Sequence, residues 1–575
     1  MNQITAGRAV VEVLRAEGVE FVFGLPGGHV IDIYDALYDA EDIRHILVRH
    51  EQAAASMAAA YAQLTGRPGV CLVTAGPGAT NLLSGIAEAF VASLPIVVLA
   101  GRGSTATSHK GASQEVATDQ VFGPVTKWSV RVDRADLLPE LVHRAFTIAR
   151  SGKPGPVLID IPKDLLAQQI PIPARISGAH PTRTGGEPQV IREVASALAG
   201  AERPLIIAGG GTLASGAWAQ LQDLAETLAA PVLTSLAGRG SIRDDHPLSA
   251  GGLGAHRNTL SARLLVEADV VLGLGTRFEE METNWRPGFV PSPEASYIQV
   301  DIDGAELGRS LMPTIGVVGD IRTVLNQLLT ELKESSDGLV WDWREHPRTR
   351  SVEEDMAEIE AGIVQAASND SLPIAPVRVI RAVRDAFPAE STVGIDVGKL
   401  AQHIVGCMPY FRVFEPRSLI VPSSYYGMGF AAAGLPVARL VYPDRPAVGF
   451  VGDGSFQMIM SVLPTAAEEK LPVTWCILND MALGSIRDIQ EFSKGGRFIA
   501  TDFRVQPDFA VIARACGCHG ERVEKPDDIE GALIRARQAN ECGIPAVIDF
   551  TVARHRLPQT RDHYGFYPAQ SSLGG

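Results

Sequence analysis

The sequence predicts an α/β protein of three doubly wound parallel-sheet domains. Three observations predict it. One unit, a buried strand followed by a glycine turn, a helix and a second buried strand, is written three times along 575 residues. Two stretches without apolar periodicity separate the copies, and 46% hydrophobic residues suffice to cover each sheet on both faces.

The first copy is the run 67–78 (RPGVCLVTAGPG), a helical segment, then 94–99 (LPIVVL). The second is 203–211 (RPLIIAGGG), a helical segment, then 231–233 (PVL). The third is 445–454 (RPAVGFVGDG), a helical segment over 456–470, then 471–478 (LPVTWCIL). Short apolar runs closed by glycine are the signature of strands in a parallel sheet, and ligands of such sheets bind beyond the carboxyl ends of the strands, where all three turns fall. The segment 168–190, rich in proline and glycine, and the charged segment 334–372, with a helix expected over 352–367, read as linkers. The expected domains are therefore 1–170, 190–335 and 370–555, followed by a tail over 556–575 that is polar and aromatic (Tyr564, Phe566, Tyr567).

A net charge of −15, with the acidic groups scattered, argues against a nucleic-acid partner. Residues 1–20 read as an amphipathic helix rather than a signal peptide, and no apolar run approaches the ~20 residues of a membrane span, so a cytoplasmic protein is expected. Six dispersed cysteines fit a reduced compartment; Cys516-Gly517-Cys518-His519 has no second pair to complete a zinc site and reads as buried thiols.

The chemistry concentrates at two strand ends. Asp453 lies in Val451-Gly452-Asp453-Gly454-Ser455, directly after an apolar run, and Asn479-Asp480 closes the next run. Carboxylates at neighbouring strand ends can grip one hard cation, and the glycines let a diphosphate approach the backbone. Asn479 is a poor ligand beside Asp480, because adjacent strand residues point to opposite sides. In the first domain Glu51 precedes Gln52 and a run of small residues, 53–60. Little water reaches such a place, which suits a carboxyl that exchanges a proton.

His50-Glu51-Gln52, Gly76-Pro77-Gly78-Ala79-Thr80-Asn81 and Gly452-Asp453-Gly454 with Asn479-Asp480 together resemble the thiamine diphosphate enzymes, and among them the acetolactate synthases. The resemblance runs from about residue 4 to residue 553 and implies three domains of the pyruvate decarboxylase and acetolactate synthase type: pyrimidine-binding, central and diphosphate-binding. It implies that Glu51 bonds the aminopyrimidine ring of thiamine diphosphate, that Met428 props the cofactor into its bent shape, and that Val397 and Gly398 flank the diphosphate. Pro26, Thr74, Pro77, Asn81, Lys399, Gly427, Gly452, Gly454, Ser455, Ala482 and Leu483 complete the cofactor cradle it implies. Asp453, Asp480 and the Ala482 carbonyl would hold Mg2+. Glu51 and the metal site would come from different subunits of a homodimer or homotetramer.

The sequence also departs from that family. Asp480 stands where Asn is usual, and Lys399-Leu400 replaces Gln-His, so Lys399 is expected to offset the added negative charge. Met281 and Ile489 stand where the family's substrate-binding Arg and Trp are expected. His29 follows Gly28 at a turn where benzaldehyde lyase, a relative, has a proton-relaying His, and Gln114 fits both families. Gly209-Gly210-Gly211 and Gly252-Leu253-Gly254 make FAD or ADP an expectation for the central domain. The resemblance favours a carboligase that decarboxylates a 2-oxo acid such as pyruvate and joins the product to a second carbonyl, with Gly28, His29 and Gln114 at the substrate oxygen. A lyase of 2-hydroxy ketones or 2-hydroxyacyl-CoA, a simple 2-oxo acid decarboxylase, and a degenerate non-catalytic paralogue are the other readings.

Overall fold

The computed structural model describes residues 3–172, 182–283, 285–335, 342–400 and 409–554. The tail over 556–575, Cys407 and part of the first linker lie outside the described residues.

Each of the three domains carries a six-stranded, all-parallel sheet flanked by helices. In the first the strand order is Arg44–Leu47, Phe21–Leu25, Gly69–Val73, Ile96–Arg102, Pro156–Pro162, Trp128–Arg131. In the second it is Ser249–Gly252, Val232–Thr234, Pro204–Ala208, Val270–Leu274, Ser296–Asp301, Ile315–Val318. In the third it is Leu419–Ile420, Thr392–Ile395, Ala447–Gly452, Thr474–Asn479, Ala546–Thr551, His519–Val523. The central strands are buried throughout, as continuous apolar runs require when helices cover both faces.

Several elements differ from the sequence expectation. The amphipathic N-terminal segment is a strand, Gln3–Thr5, paired antiparallel with Gln169–Pro171, then a helix, Ala6–Ala16, capped by the Thr5 hydroxyl. The helix expected over 352–367 begins earlier, at Pro347, where His346 caps it through the Arg348 N–H and proline occupies the first turn. The single helix expected over 456–470 is two, Asp453–Gln457 and Val462–Glu468. The break between them lays Ile459 against Gly429, where an added Cβ would come within 2.3 Å of Ile459 Cγ2.

The first and third domains share one core. The helix Glu51–Thr65 is buried on almost every side, because alanines at 53–55, 58–60 and 62 leave no bulk to hold neighbours away. It packs against the alanine-rich helix Phe430–Gly434, where an added Cβ on Gly434 would sit 2.8 Å from Ala60 Cβ. Gln63 donates to the Val421 carbonyl at 2.7 Å and the Tyr442 hydroxyl to that of Leu64 at 3.1 Å, fastening the rim. The middle domain is tied to the third by Arg239, which pairs with Asp244 and donates to the Phe411 carbonyl.

Candidate functional site

The third-domain half of the site grows from two adjacent strands. Ala447–Gly452 and Thr474–Asn479 run parallel in a register that sets Gly452 beside Leu478, so Asp453 and Asp480 leave the sheet next to each other. Both are buried. Burial, then the charge of Asp480, pushes the Asp453 carboxyl up to about 7. Burial pushes Asp480 up to about 6, with Lys399 and Arg554 pulling the other way. Asn479 turns to the opposite side, where its amide donates to Asp549 at 2.9 Å. Ala482 is buried and its N–H serves Asp480. Lys399, buried, pairs with Asp488 of the helix Gly484–Lys494 at 2.6 Å. Gly398 and Gly452 face open space, whereas Gly454 lies against Leu483, 2.9 Å from an added Cβ.

Val397 follows Asp396, whose carboxylate accepts its N–H at 2.9 Å, and Ser455 donates to the same carboxylate. Gly427 donates its N–H to Glu88 at 2.9 Å, and Met428 beside it is half-buried.

In the first domain the extended backbone of His50 starts the helix at Glu51. Asn81 donates to Glu51 Oε2 at 2.9 Å. An added Cβ on Gly78 would stand 3.5 Å from Glu51 Oε1 and 2.7 Å from Thr74 Cγ2, so Thr74 links this carboxylate to the next group. His29 Nδ1 lies 3.3 Å from the Thr74 hydroxyl. Burial, then the charge of Lys163, holds the His29 imidazole below its ordinary value. Gln114 takes a left-handed backbone, φ 61°, and packs on Gly76, where an added Cβ would meet its Cβ at 2.9 Å. Glu51, Asn81, Gly78, Thr74, His29, Gly76 and Gln114 thus form one continuous patch. Gly28 beside it meets nothing within 4 Å of an added Cβ, and Pro26 and Pro77 are exposed at its edge.

The donor set fits a hard cation. Burial and the charge of Asp480 raise Asp453, Lys399 and Arg554 offset the burial of Asp480 only in part, and both side chains offer oxygen only. Among the described residues no cluster of three His, Cys, Asp or Glu side chains forms, so a cation here would need backbone or ligand oxygens beside Asp453 and Asp480.

Sequence reasoning passed over four residues. Gln506 donates to Asp453, Asp488 meets Lys399, Glu88 binds Gly427, and Asp396 binds three backbone N–H groups. Glu88 carried a signal, a single charge inside the apolar stretch 86–90, and so did Asp396, a carboxylate at a strand end.

Comparison with known proteins agrees over most of the chain. Residues 4–121 match the thiamine pyrophosphate enzyme N-terminal TPP binding domain, 191–328 the central domain and 400–550 the C-terminal TPP binding domain. A probable acetolactate synthase large subunit from Methanocaldococcus jannaschii is 35% identical over 95% of this chain and 91% of its own length. The acetolactate synthase isozyme 3 large subunit of Escherichia coli is 35% identical over 96% and 95%. An acetolactate synthase of Mycobacterium bovis is 34% identical over 96% and 88%.

Proposed function

We propose, from the fact that this chain belongs to the thiamine pyrophosphate enzyme family, that it is an acetolactate synthase-like carboligase acting on a 2-oxo acid such as pyruvate and a second carbonyl compound. The observation that carries the reading is the pair Asp453 and Asp480, buried side by side at the end of the third sheet and both raised above the ordinary carboxylate value by burial. Asp453, Asp480 and the Ala482 carbonyl would hold Mg2+. Gly452, Gly454, Ser455, Leu483, Val397, Gly398 and Lys399 would receive the diphosphate, and Gly427 and Met428 the remainder of thiamine diphosphate. Pro26, Thr74, Pro77 and Asn81 line the side presented by the first domain. When bound, that cofactor supplies the nucleophilic carbon and the electron sink that decarboxylation and transfer of a two-carbon unit need.

The chain's own residues hold and move protons. Glu51, oriented by Asn81, is the carboxyl placed to exchange a proton with the pyrimidine end. His29, engaged at Nδ1 by Thr74, presents Nε2 to a substrate oxygen, with Gln114 and Gly28 beside it. Lys399 adds a buried cation on the diphosphate side, shared with Asp488. Lys399→Gln is expected to weaken thiamine diphosphate binding; unchanged affinity removes Lys399 from the site. Glu51 and Asp453 would meet across a subunit boundary, in a homodimer or homotetramer, which sedimentation velocity tests. No helix among the described residues is long and apolar enough to cross a membrane, and a cytoplasmic location is part of the proposal.

FAD or ADP in the middle domain is the less supported part. In the glycine turn expected to receive it, Gly209 and Gly211 pack closely against the backbone of Gly275 of the same domain. An absorption spectrum of the purified protein decides whether flavin is bound.

A second reading has its own observation. His29 sits on Thr74 at the turn, and Met281 replaces a fixed cation for a second carboxylate. A lyase acting on 2-hydroxy ketones or 2-hydroxyacyl-CoA, or a simple decarboxylase, fits those two. With thiamine diphosphate and Mg2+, conversion of pyruvate to acetolactate supports the carboligase. Inert pyruvate with cleavage of a hydroxy ketone supports the lyase.

A further inference from the structure

The segment 423–432 carries Met428 and is held from within by few bonds, Tyr426 N–H to the Ser423 carbonyl, Tyr425 N–H to the Ser423 hydroxyl and Phe430 N–H to the Gly427 carbonyl. Tyr426 has φ 58° and Gly429 φ 84°, two left-handed residues on either side of Gly427 and Met428. Glycine takes such a backbone freely, but for Tyr426 it is strained, and strain of this kind persists only where surrounding groups over-determine it. Here two buried carboxylates grip it, one before Met428 and one after.

Glu88, on the first-domain helix Leu83–Val91 and 1% exposed, accepts the N–H of Ser423 and, at 2.9 Å, that of Gly427. Asp396, at the end of the third-domain strand Thr392–Ile395 and 0% exposed, accepts the N–H of Gly429 at 2.9 Å and of Ala432 at 3.0 Å. Asp396 also accepts the N–H of Val397 at 2.9 Å and the hydroxyl of Ser455. A single side chain therefore joins three of the segments assigned to the cofactor. Among the described residues, the hydrogen-bond partners of both carboxylates are backbone N–H groups and serine hydroxyls, with no cation among them, a costly arrangement for a buried charge.

We propose that Asp396 and Glu88 are positioning residues that clamp 427–429 from two domains and so set Met428 against the cofactor. This rests on the cofactor reading above. It also places the first domain, which carries Glu51, in direct contact with the cofactor-facing loop of the third domain in the same chain. In a dimer with shared sites, that contact would join one site to the other.

The test uses the full chain and thiamine diphosphate with MgCl2, followed by quenching of tryptophan fluorescence, beside urea unfolding of the apoprotein. Asp396→Asn, Glu88→Gln and Met428→Ala are each expected to weaken the Kd by about 10- to 100-fold, the range of lost supporting shells. The double variant Glu88→Gln with Met428→Ala is expected to be no weaker than the worse single one, since both act through one residue. Asp320→Asn, which loosens a carboxylate of the middle domain, is the control: it should lower the urea midpoint and leave the Kd alone. Folded Asp396→Asn and Glu88→Gln with unchanged Kd, or an additive double variant, overturn the inference. Should Asp396→Asn fail to fold, Glu88→Gln and its double variant decide. If the unaltered chain binds no thiamine diphosphate, the cofactor reading fails and takes the clamp with it.

Discussion

An added Cβ on Gly209 of the middle domain would lie 2.1 Å from the Gly275 carbonyl oxygen, whereas one on Gly452 of the third domain meets nothing within 4 Å. The contrast extends to their neighbours. An added Cβ would stand 2.8 Å from Gly275 Cα at Gly211 and 2.1 Å from the Ala208 carbonyl oxygen at Gly238, while at Gly398 and Gly28 in the outer domains it would face open space. Particular buried carboxylates differ as well. Asp244 in the middle domain is paired with Arg239, and Glu306 with Lys153. Asp453 and Asp480 face each other, and Asp396 is held by N–H groups and a hydroxyl. The same strand-and-glycine punctuation thus serves two ends. At these middle-domain turns glycine lets backbones touch; at Gly28, Gly398 and Gly452 it leaves room, and next to Gly452 the charge of Asp480 acts on Asp453.

The largest effect that would break this contrast lies at Glu51. If the outer domains hold the chemistry, Glu51→Gln lowers kcat/KM by about 10²- to 10⁴-fold, the usual worth of a positioned acid or base. The urea midpoint of the apoprotein stays close to that of the unaltered chain, because glutamine keeps the hydrogen bond to Asn81. Steady-state rates with the substrate found active, beside urea melts, check both halves. Retained turnover would remove Glu51 from the reaction.

Much of this contrast was legible in the sequence and part was not. Apolar runs of five to seven residues ending in glycine gave the three sheets, because only a strand covered on both faces reads that way. Asp453, Asp480 and Glu51 were legible because they stand at strand ends or at a helix start. The different use of the glycines was not: Gly209-Gly210-Gly211 and Gly452-Asp453-Gly454 read alike until Gly275, more than sixty residues away in sequence, is seen to pack closely against the first. Asp396 and Glu88 stood out as charges at a strand end and in an apolar stretch, but what they hold stayed hidden for the same reason. Their partners are backbone N–H groups of a distant loop, and a backbone N–H carries no residue identity to read.

A smaller effect sharpens the charge half of the comparison. Burial holds Asp396 up at about 6, against the N–H groups that pull it down. Its folded value is above its unfolded one, so its contribution to stability is complete below about pH 4 and is lost as pH rises through about 6. Over pH 4 to 7 the unaltered apoprotein should lose about 3 kcal/mol relative to Asp396→Asn, about two units of raised value at 1.4 kcal/mol each. Urea melts of both proteins across that range measure the difference. A difference that does not change with pH would show that the N–H groups fully offset the burial of this charge.

The smallest effect addresses the glycines themselves. Gly209 has φ −93° and Gly452 φ −74°, so alanine is free of backbone strain at both and only the space differs. Gly209→Ala forces a methyl group onto the Gly275 carbonyl, and overpacking of that kind costs about 1–3 kcal/mol. Gly452→Ala meets open space and should stay within about 0.5 kcal/mol of the unaltered chain in stability. Binding should reverse the order: Gly452→Ala weakens thiamine diphosphate, because the methyl group enters the room left for the diphosphate, and Gly209→Ala leaves it unchanged. Urea midpoints and cofactor titrations on the two variants give a crossed result if glycine fills space in one domain and keeps it open in the other. Equal losses of stability, or equal losses of affinity, would mean that the two turns do the same job and that the contrast ends at their geometry.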